Sequence, residues 1–181
     1  MPLNVTGKGI SVHGPADRVE ILNSAHDREA FDCGVESLNR YIKQQASQDA
    51  KRRIGVTHVA VSDDRPDRIL GYYTLATTTI GPGTMPEKNL PKRMALPGAL
   101  LGRLVVDVSA KGSGLGEFLL MDALARAERV AVSEMGAVAV VVDALPEAVG
   151  FYTRYGFQKL LDDELHLYLS MDAIRKLSLN Q

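Results

Sequence analysis

A chain of 181 residues, 45% apolar and 24% charged, carries enough apolar material for a sizeable core, and a single domain over residues 1–181 is expected. Its formal charge of -1 excludes a general pull on nucleic acid, so any such contact must come from a local patch. The single Cys33 excludes an internal disulfide; with no signal-like N-terminus and no apolar run of about 18 residues, a soluble cytoplasmic protein is expected.

Apolar patterning predicts helices alternating with strands. Ile10 to His13 and Val19 to Leu22 read as a short first strand or pair. From Val35 to Lys51, Leu38, Tyr41, Ile42, Gln45 and Ala46 recur at helical spacing behind Gly34, which predicts a helix with one moderately apolar face. Val56 to Val61 and Ile69 to Thr79 are rich in β-branched and aromatic residues, and the Asp63–Asp67 run between them predicts a hairpin. Pro82, Pro86, Pro91 and Pro97 argue against a helix or a central strand across residues 81–97. A long loop is expected there, either part of an acceptor site or a mobile connection.

Leu100 to Val106 predicts a strand, and Leu115, Leu119, Ala123, Ala127 and Val130 predict the buried stripe of a following helix. Ala137 to Val142 has no polar face, which predicts a central strand covered on both sides. Pro146 suits the first turn of another helix, and Glu164 to Met171 reads as a last strand before a short polar tail. Cys33 has no evident histidine partner and reads as a buried structural thiol.

The run Lys111-Gly112-Ser113-Gly114-Leu115-Gly116 joins the predicted strand to the predicted helix. Glycines at a helix N-terminus let successive amides approach anionic oxygens where the helix dipole adds positive charge, so a phosphate-bearing ligand is expected. A Walker loop would need Lys then Ser or Thr after its last glycine; Glu117 and Phe118 stand there instead. The glycine spacing and late position also depart from a dinucleotide-binding fingerprint.

The order basic-x-x-Gly-x-Gly after a strand resembles the pyrophosphate loop of Gcn5-related N-acetyltransferases. The resemblance is strengthened by Asp143 to Ala148 leading into Gly150-Phe151-Tyr152-Thr153-Arg154-Tyr155-Gly156-Phe157, similar to that family's fifth strand, helix and Phe-Tyr-x-x-x-Gly-Phe signature. It implies an α/β (α+β) fold with a mixed, largely antiparallel central sheet splayed in the middle and flanked by helices. It implies acetyl-CoA, with backbone groups of Leu104, Val105 and Val106 along the pantetheine arm and thioester. The amides of Gly112, Ser113, Gly114, Leu115 and Gly116 would hold the pyrophosphate, and Lys111 would add charge where the family more often has Arg or Gln. Tyr152 takes the position of the phenol that faces the sulfur and would act as general acid; Tyr155 is assigned mainly to packing. No metal site is expected. Departures are Val108, where the wider family often has Pro, and Asp143, where it often has Asn.

No general base stands out: His13, His26, His58 and His166 each read as structural or solvated. An α-amine, with a pKa near 7.7 to 8.0, needs less help to lose its proton than a lysine side chain near 10.4.

Phe31 to Ile42, Tyr72 to Ala76, Asn89 to Pro91 and Leu101 to Asp107 together resemble the acetyltransferase toxins of bacterial toxin–antitoxin pairs. That resemblance implies acetylation of the α-amine of charged tRNA, a ribbon-helix-helix antitoxin and a homodimer. A tRNA acceptor calls for local positive charge: Lys51, Arg52 and Arg53 form the best run, with Arg40, Lys43, Lys92 and Arg93 as companions, although a basic run at a helix end also suits the helix dipole and water. Two other readings remain open at this point, a housekeeping acetyltransferase of a small amine or protein N-terminus, and a non-enzymatic module that binds acetyl-CoA or an antitoxin.

Overall fold

The computed structural model describes residues 16–179, so the Ile10 to His13 strand lies outside the described residues. Strands β1 (Arg18–Ile21), β2 (Val56–Val61), β3 (Gly71–Ile80), β4 (Leu96–Val106), β5 (Ala139–Asp143), β6 (Gln158–Lys159) and β7 (His166–Ser170) build one sheet in the order β1-β2-β3-β4-β5-β7-β6. Every neighbouring pair is antiparallel except β4 and β5, which run parallel. This is the mixed, largely antiparallel sheet that the resemblance implied.

One face of the sheet carries α3 (Leu115–Ser133), α4 (Val149–Arg154) and α5 (Met171–Leu179). Leu115, Leu119, Leu120, Ala123 and Leu124 of α3 are buried against Tyr73, Leu101, Val140 and Leu167 of the strands. Burying a leucine side chain fully is worth about 1.5–3 kcal/mol, so this stripe holds α3 across the middle of the sheet. Val130, expected in that stripe, is 36% exposed and lines a cavity between the C-terminal half of α3 and strands β3 and β4.

The opposite face is covered by a helix running from Glu36 to Lys51 in three parts: α1 (Glu36–Arg40), a π-helical turn (Tyr41–Gln45) and α2 (Ala46–Lys51). Tyr41, Ile42 and Ala46 pack there on Val59, Val61, Tyr72 and Val105. A second cluster on the same face joins Met85 of the 81–95 segment to Ile80, Val141 and Tyr168. β5 is therefore covered on both sides, Val140 and Val142 by the α3 side and Ala139 and Val141 by the other, as its all-apolar sequence predicted.

Two expectations are corrected, and one element is new. β4 begins at Leu96, so Pro97 lies inside a central strand; it pairs with Thr79, and its carbonyl accepts from the Val138 amide, a role that asks for no N–H. The polar tail after the last strand is α5, whose Met171 and Ile174 reach the core from an otherwise polar segment. β6, a two-residue edge strand, was not anticipated.

Candidate functional site

β4 and β5 pair only at Ala99 with Val140 and Leu100 with Val141. β4 then runs on to Val106, so from Leu101 onward it leaves β5 and its main chain on that side has no strand partner. The divergence has a local cause. Between Thr74 and Leu75 the β3–β4 register shifts, leaving Gly102 as the extra residue of a bulge; a Cβ there would stand 2.9 Å from the Thr74 hydroxyl, so only glycine fits.

Beyond the fork the chain makes a short 3-10 turn (Val108–Ala110) and then the glycine loop. Gly112 and Gly114 have φ of 75° and 85°, the left-handed region open to glycine, and a Cβ at either would meet nothing within 4 Å. The loop therefore faces open space. Gly116 sits where a Cβ would lie 3.8 Å from Val106 and 4.0 Å from the Phe151 ring, so the end of β4, the start of α3 and α4 converge at this point. The Ser113 hydroxyl donates back to the Ala110 carbonyl, and Leu115 buries its side chain, leaving its amide as its only contribution to the loop.

Lys111, expected to add charge beside the glycines, donates from Nζ to the Cys33 carbonyl at 3.0 Å. It belongs to a wider tie. The Asp32 amide donates to Asp107 Oδ2 at 3.0 Å and the Val108 amide donates to the Asp32 carbonyl at 2.8 Å, while Asn39 Oδ1 accepts from the Cys33 amide. Burial pulls the Asp107 carboxyl up, but hydrogen bonds from the Asp32 amide and from Ser109 outweigh it and hold the group below the usual range. The Phe31 to Ile42 and Leu101 to Asp107 segments are thus one unit that clamps the helix face onto the start of the loop. Cys33 is buried within it, as expected of a structural thiol.

Tyr152, on α4, is 8% exposed and packs edge-on against Phe151 and Phe157 at 5.2 and 5.3 Å. Burial alone pushes its phenol up to about 12, with no neighbouring charge or hydrogen bond contributing, so the hydroxyl is a protonated donor at neutral pH. Tyr155 is only partly buried and packs on Phe151 at 5.2 Å; burial first, and then Glu117 of α3, raise its phenol.

On the face away from α3, a cavity of about 160 Å³ opens at the fork itself, lined by Leu100 and Val141, the last paired residues, together with Asp143, Asp162 and His166. His166 lies 3.1 Å from Asp143 and 3.1 Å from Asp162, and its hydrogen bond with Asp162 is the chief cause of its raised pKa. Sequence reading passed over this trio because its members come from the ends of β5 and β7 and the turn between β6 and β7. His26 is buried against Glu20 at 2.8 Å, and His58 is buried against the Tyr73 ring at 4.9 Å, pushed down to about 4 mainly by burial. Neither lines the fork cavity. A larger cavity, about 430 Å³, lies under the C-terminal half of α3, at the far end of that helix from the glycine loop.

The basic residues do not form one cluster. Arg40 pairs with Glu36 at 3.8 Å, Lys43 is half-buried in the π-helical turn, and Lys51, Arg52 and Arg53 are exposed at the end of α2. Lys92 and Arg93 are exposed on the 81–95 segment, over another part of the same sheet face. Arg103 was missed: it is the one charged residue within β4, and its guanidinium lies 3.6 Å from the centre of the Tyr41 ring. A lone charge in an otherwise apolar strand was the available signal. Among the described residues no group of His, Cys, Asp and Glu could hold a metal ion, and no helix is long and apolar enough to cross a membrane.

Known proteins share this fold over most of the chain. A tRNA-acetylating toxin of Mycobacterium tuberculosis is 35% identical over 160 residues, 86% of this chain and 93% of that protein. The structure of AtaT complexed with acetyl-methionyl-tRNAfMet superposes with a TM-score of 0.82 at 27% identity, covering 89% of this chain and 98% of that one. A tyrosine-to-phenylalanine mutant of AtaT, bound to the C-terminus of the antitoxin AtaR and acetyl-CoA, gives a TM-score of 0.74 at 27% identity, covering 91% and 98%. The acetyltransferase (GNAT) domain family itself matches residues 28–166, a span that takes in the forked strands, the glycine loop and Tyr152 together, and the chain belongs to that family.

Proposed function

We propose that this acetyltransferase transfers the acetyl group of acetyl-CoA to the α-amine of an aminoacyl-tRNA, and that it is the toxin of a toxin–antitoxin pair. The observation that carries the acceptor is the likeness, over nearly the full length of both chains, to a protein that acetylates tRNA. The residues present fit acetyl-CoA: the glycine loop offers amides around open space, and beyond Leu100 the β5 side of the β4 main chain is left unpaired, where an amide-bearing arm could pair. Leu104, Val105 and Val106 would hold that arm through their backbone, and Gly112, Ser113, Gly114, Leu115 and Gly116 the pyrophosphate. Lys111, tied to Cys33, would set the loop's shape and add a fixed positive charge at its edge.

When bound, acetyl-CoA supplies an acetyl thioester, whose carbonyl an uncharged amine can attack. Tyr152 Oη carries the proton that a departing sulfur needs; as the amine bonds to carbon it releases a proton, and the phenol is restored from it. Asp143, Asp162 and His166 present net negative charge at the fork, which suits an incoming ammonium before it loses its proton. The partners that fit this reading are charged tRNA, a ribbon-helix-helix antitoxin and a second copy of the chain.

Incubating the purified chain with labelled acetyl-CoA and total charged tRNA, followed by mass spectrometry of the released aminoacyl ends, tests the acceptor. N-acetylated aminoacyl ends are expected, along with growth arrest on expression. Label transferred only to free amines or protein N-termini overturns the proposal.

A further inference from the structure

Arg103 stands in an unusual position for a charged side chain. It is half-buried, three residues past the last β4–β5 pair, and next to the residues proposed to hold the thioester arm. Its orientation follows from strand alternation: Val105 packs into the cluster under the Glu36–Lys51 helix, whereas Leu104 and Val106 pack on the α3 side. Arg103 shares the parity of Val105, and its guanidinium is found over Tyr41 of that helix. The glycine loop, with α3, belongs to the other face. A cation on the Tyr41 side of the strand is therefore turned toward whatever reaches the fork from the side opposite the cofactor loop.

Its charge is also unspent. The ion pairs among the described residues take up Arg18, Arg40, Arg65, Arg126, Arg175 and Lys159, and Arg103 is in none of them. Among the described residues this half-buried guanidinium is held by stacking: Tyr41 supports it, and Tyr72 stacks beneath Tyr41 with ring centres 6.2 Å apart. Such a stack fixes the plane of the guanidinium while its N–H donors have no hydrogen-bond partner among the described residues, the state in which Arg binds the paired oxygens of a phosphate.

We infer that Arg103 is a phosphate-binding residue for the acceptor, gripping a backbone phosphate close to the aminoacylated end so that the α-amine is delivered to the fork. The inference rests on the aminoacyl-tRNA reading above. It assigns Arg103 a local role, distinct from the looser attraction offered by Lys51, Arg52 and Arg53 at the end of the helix.

The test compares two acceptors, charged tRNA and a 3′-aminoacyl adenosine that lacks any phosphate, in initial-rate assays at varied acetyl-CoA. Arg103→Met keeps an unbranched apolar stem over Tyr41 and removes the charge; Arg103→Lys keeps a charge without the planar fork. Arg103→Met is expected to lower the ratio of kcat/KM for charged tRNA to that for the phosphate-free acceptor about tenfold, through KM, with the KM for acetyl-CoA unmoved. Arg103→Lys is expected to recover part of that ratio. Equal losses on both acceptors would mean that Arg103 only props Tyr41, and a raised KM for acetyl-CoA would move it to the cofactor; either overturns the inference. An unsubstituted chain active on charged tRNA with an unchanged ratio in Arg103→Met overturns the inference alone, whereas an unsubstituted chain inactive on charged tRNA overturns the acceptor reading beneath it.

Discussion

Tyr152 and Tyr155 differ by a single turn of helix, yet their surroundings assign them different work. Tyr152 is pressed between Phe151 and Phe157, and nothing but burial acts on its phenol; Tyr155 is more open and has Glu117 beside it. A hydroxyl with no partner in the folded protein adds little to stability, so its removal should show in catalysis. Tyr152→Phe is expected to lower kcat on charged tRNA by about 100-fold or more while moving the thermal midpoint by no more than a degree or two. Comparable activity in that variant would remove the general acid from the mechanism. The phenol was legible in the sequence only through its motif; nothing in local composition separates it from Tyr155.

His58 offers a second residue-scale test, and a pH-dependent one. Burial, and then the charge of Arg126, lower its pKa to about 4 from an ordinary 6.5, against a smaller opposing pull from Asp122, and its Nδ1 has no hydrogen-bond partner. Between those two values the unfolded chain takes up a proton that the folded chain refuses. Stability is thus present above about pH 6.5 and lost as pH falls toward 4, by an upper bound of about 3 kcal/mol. His58→Phe keeps a ring against Tyr73 and removes the titration, so thermal melts from pH 7 to 4 should fall less steeply than those of the parent chain. Parallel melting curves would show that His58 protonates without cost.

At the scale of elements, periodic segments were legible and those defined by geometry were hidden. The helix from Glu36 to Lys51, the β2–β3 hairpin, α3 and β5 follow from spacing and β-branched runs. α5 was hidden because its core contacts come from Met171 and Ile174, with Ala173 partly buried beside them, too few to establish a period. The start of β4 was hidden by Pro97, since proline excludes a strand only where its N–H would be needed. The end of α2 carries its own test. Arg53 closes the helix at a φ of 60°, with the Ile54 amide donating to the Asp49 carbonyl at 2.9 Å, a closure that ordinarily takes glycine. A side chain in that conformation costs about 1 kcal/mol. Arg53→Gly is expected to raise the melting temperature by about 2–4 °C while weakening binding of charged tRNA, the pairing of effects that a strained functional residue produces. A stabilised variant with undiminished tRNA binding would leave Arg53 a solvated helix end.

Across the whole molecule, the fork divides two faces of different character. The glycine loop belongs to the α3 side, while Arg103, the exposed basic residues and the acidic cavity at the fork belong to the other. The fork itself was legible only through family resemblance, because it arises where pairing stops, and five apolar or neutral residues around a single arginine do not announce that a neighbour has left. This division, with the net charge of -1, makes salt a direct probe of the acceptor face. With no overall field to attract a polyanion, each phosphate contact must come from a particular cation, and each should contribute up to about one unit to the slope of log affinity against log salt. Replacing Lys51, Arg52 and Arg53 together by Gln is expected to flatten that slope by about two for charged tRNA, leaving the affinity for acetyl-CoA unaltered. Replacing Lys92 and Arg93 by Gln serves as the comparison, since these residues sit over the other half of the same face. A slope that flattens only in the second variant would seat the tRNA over the 81–95 segment, and one that flattens in neither would remove both runs from the interface.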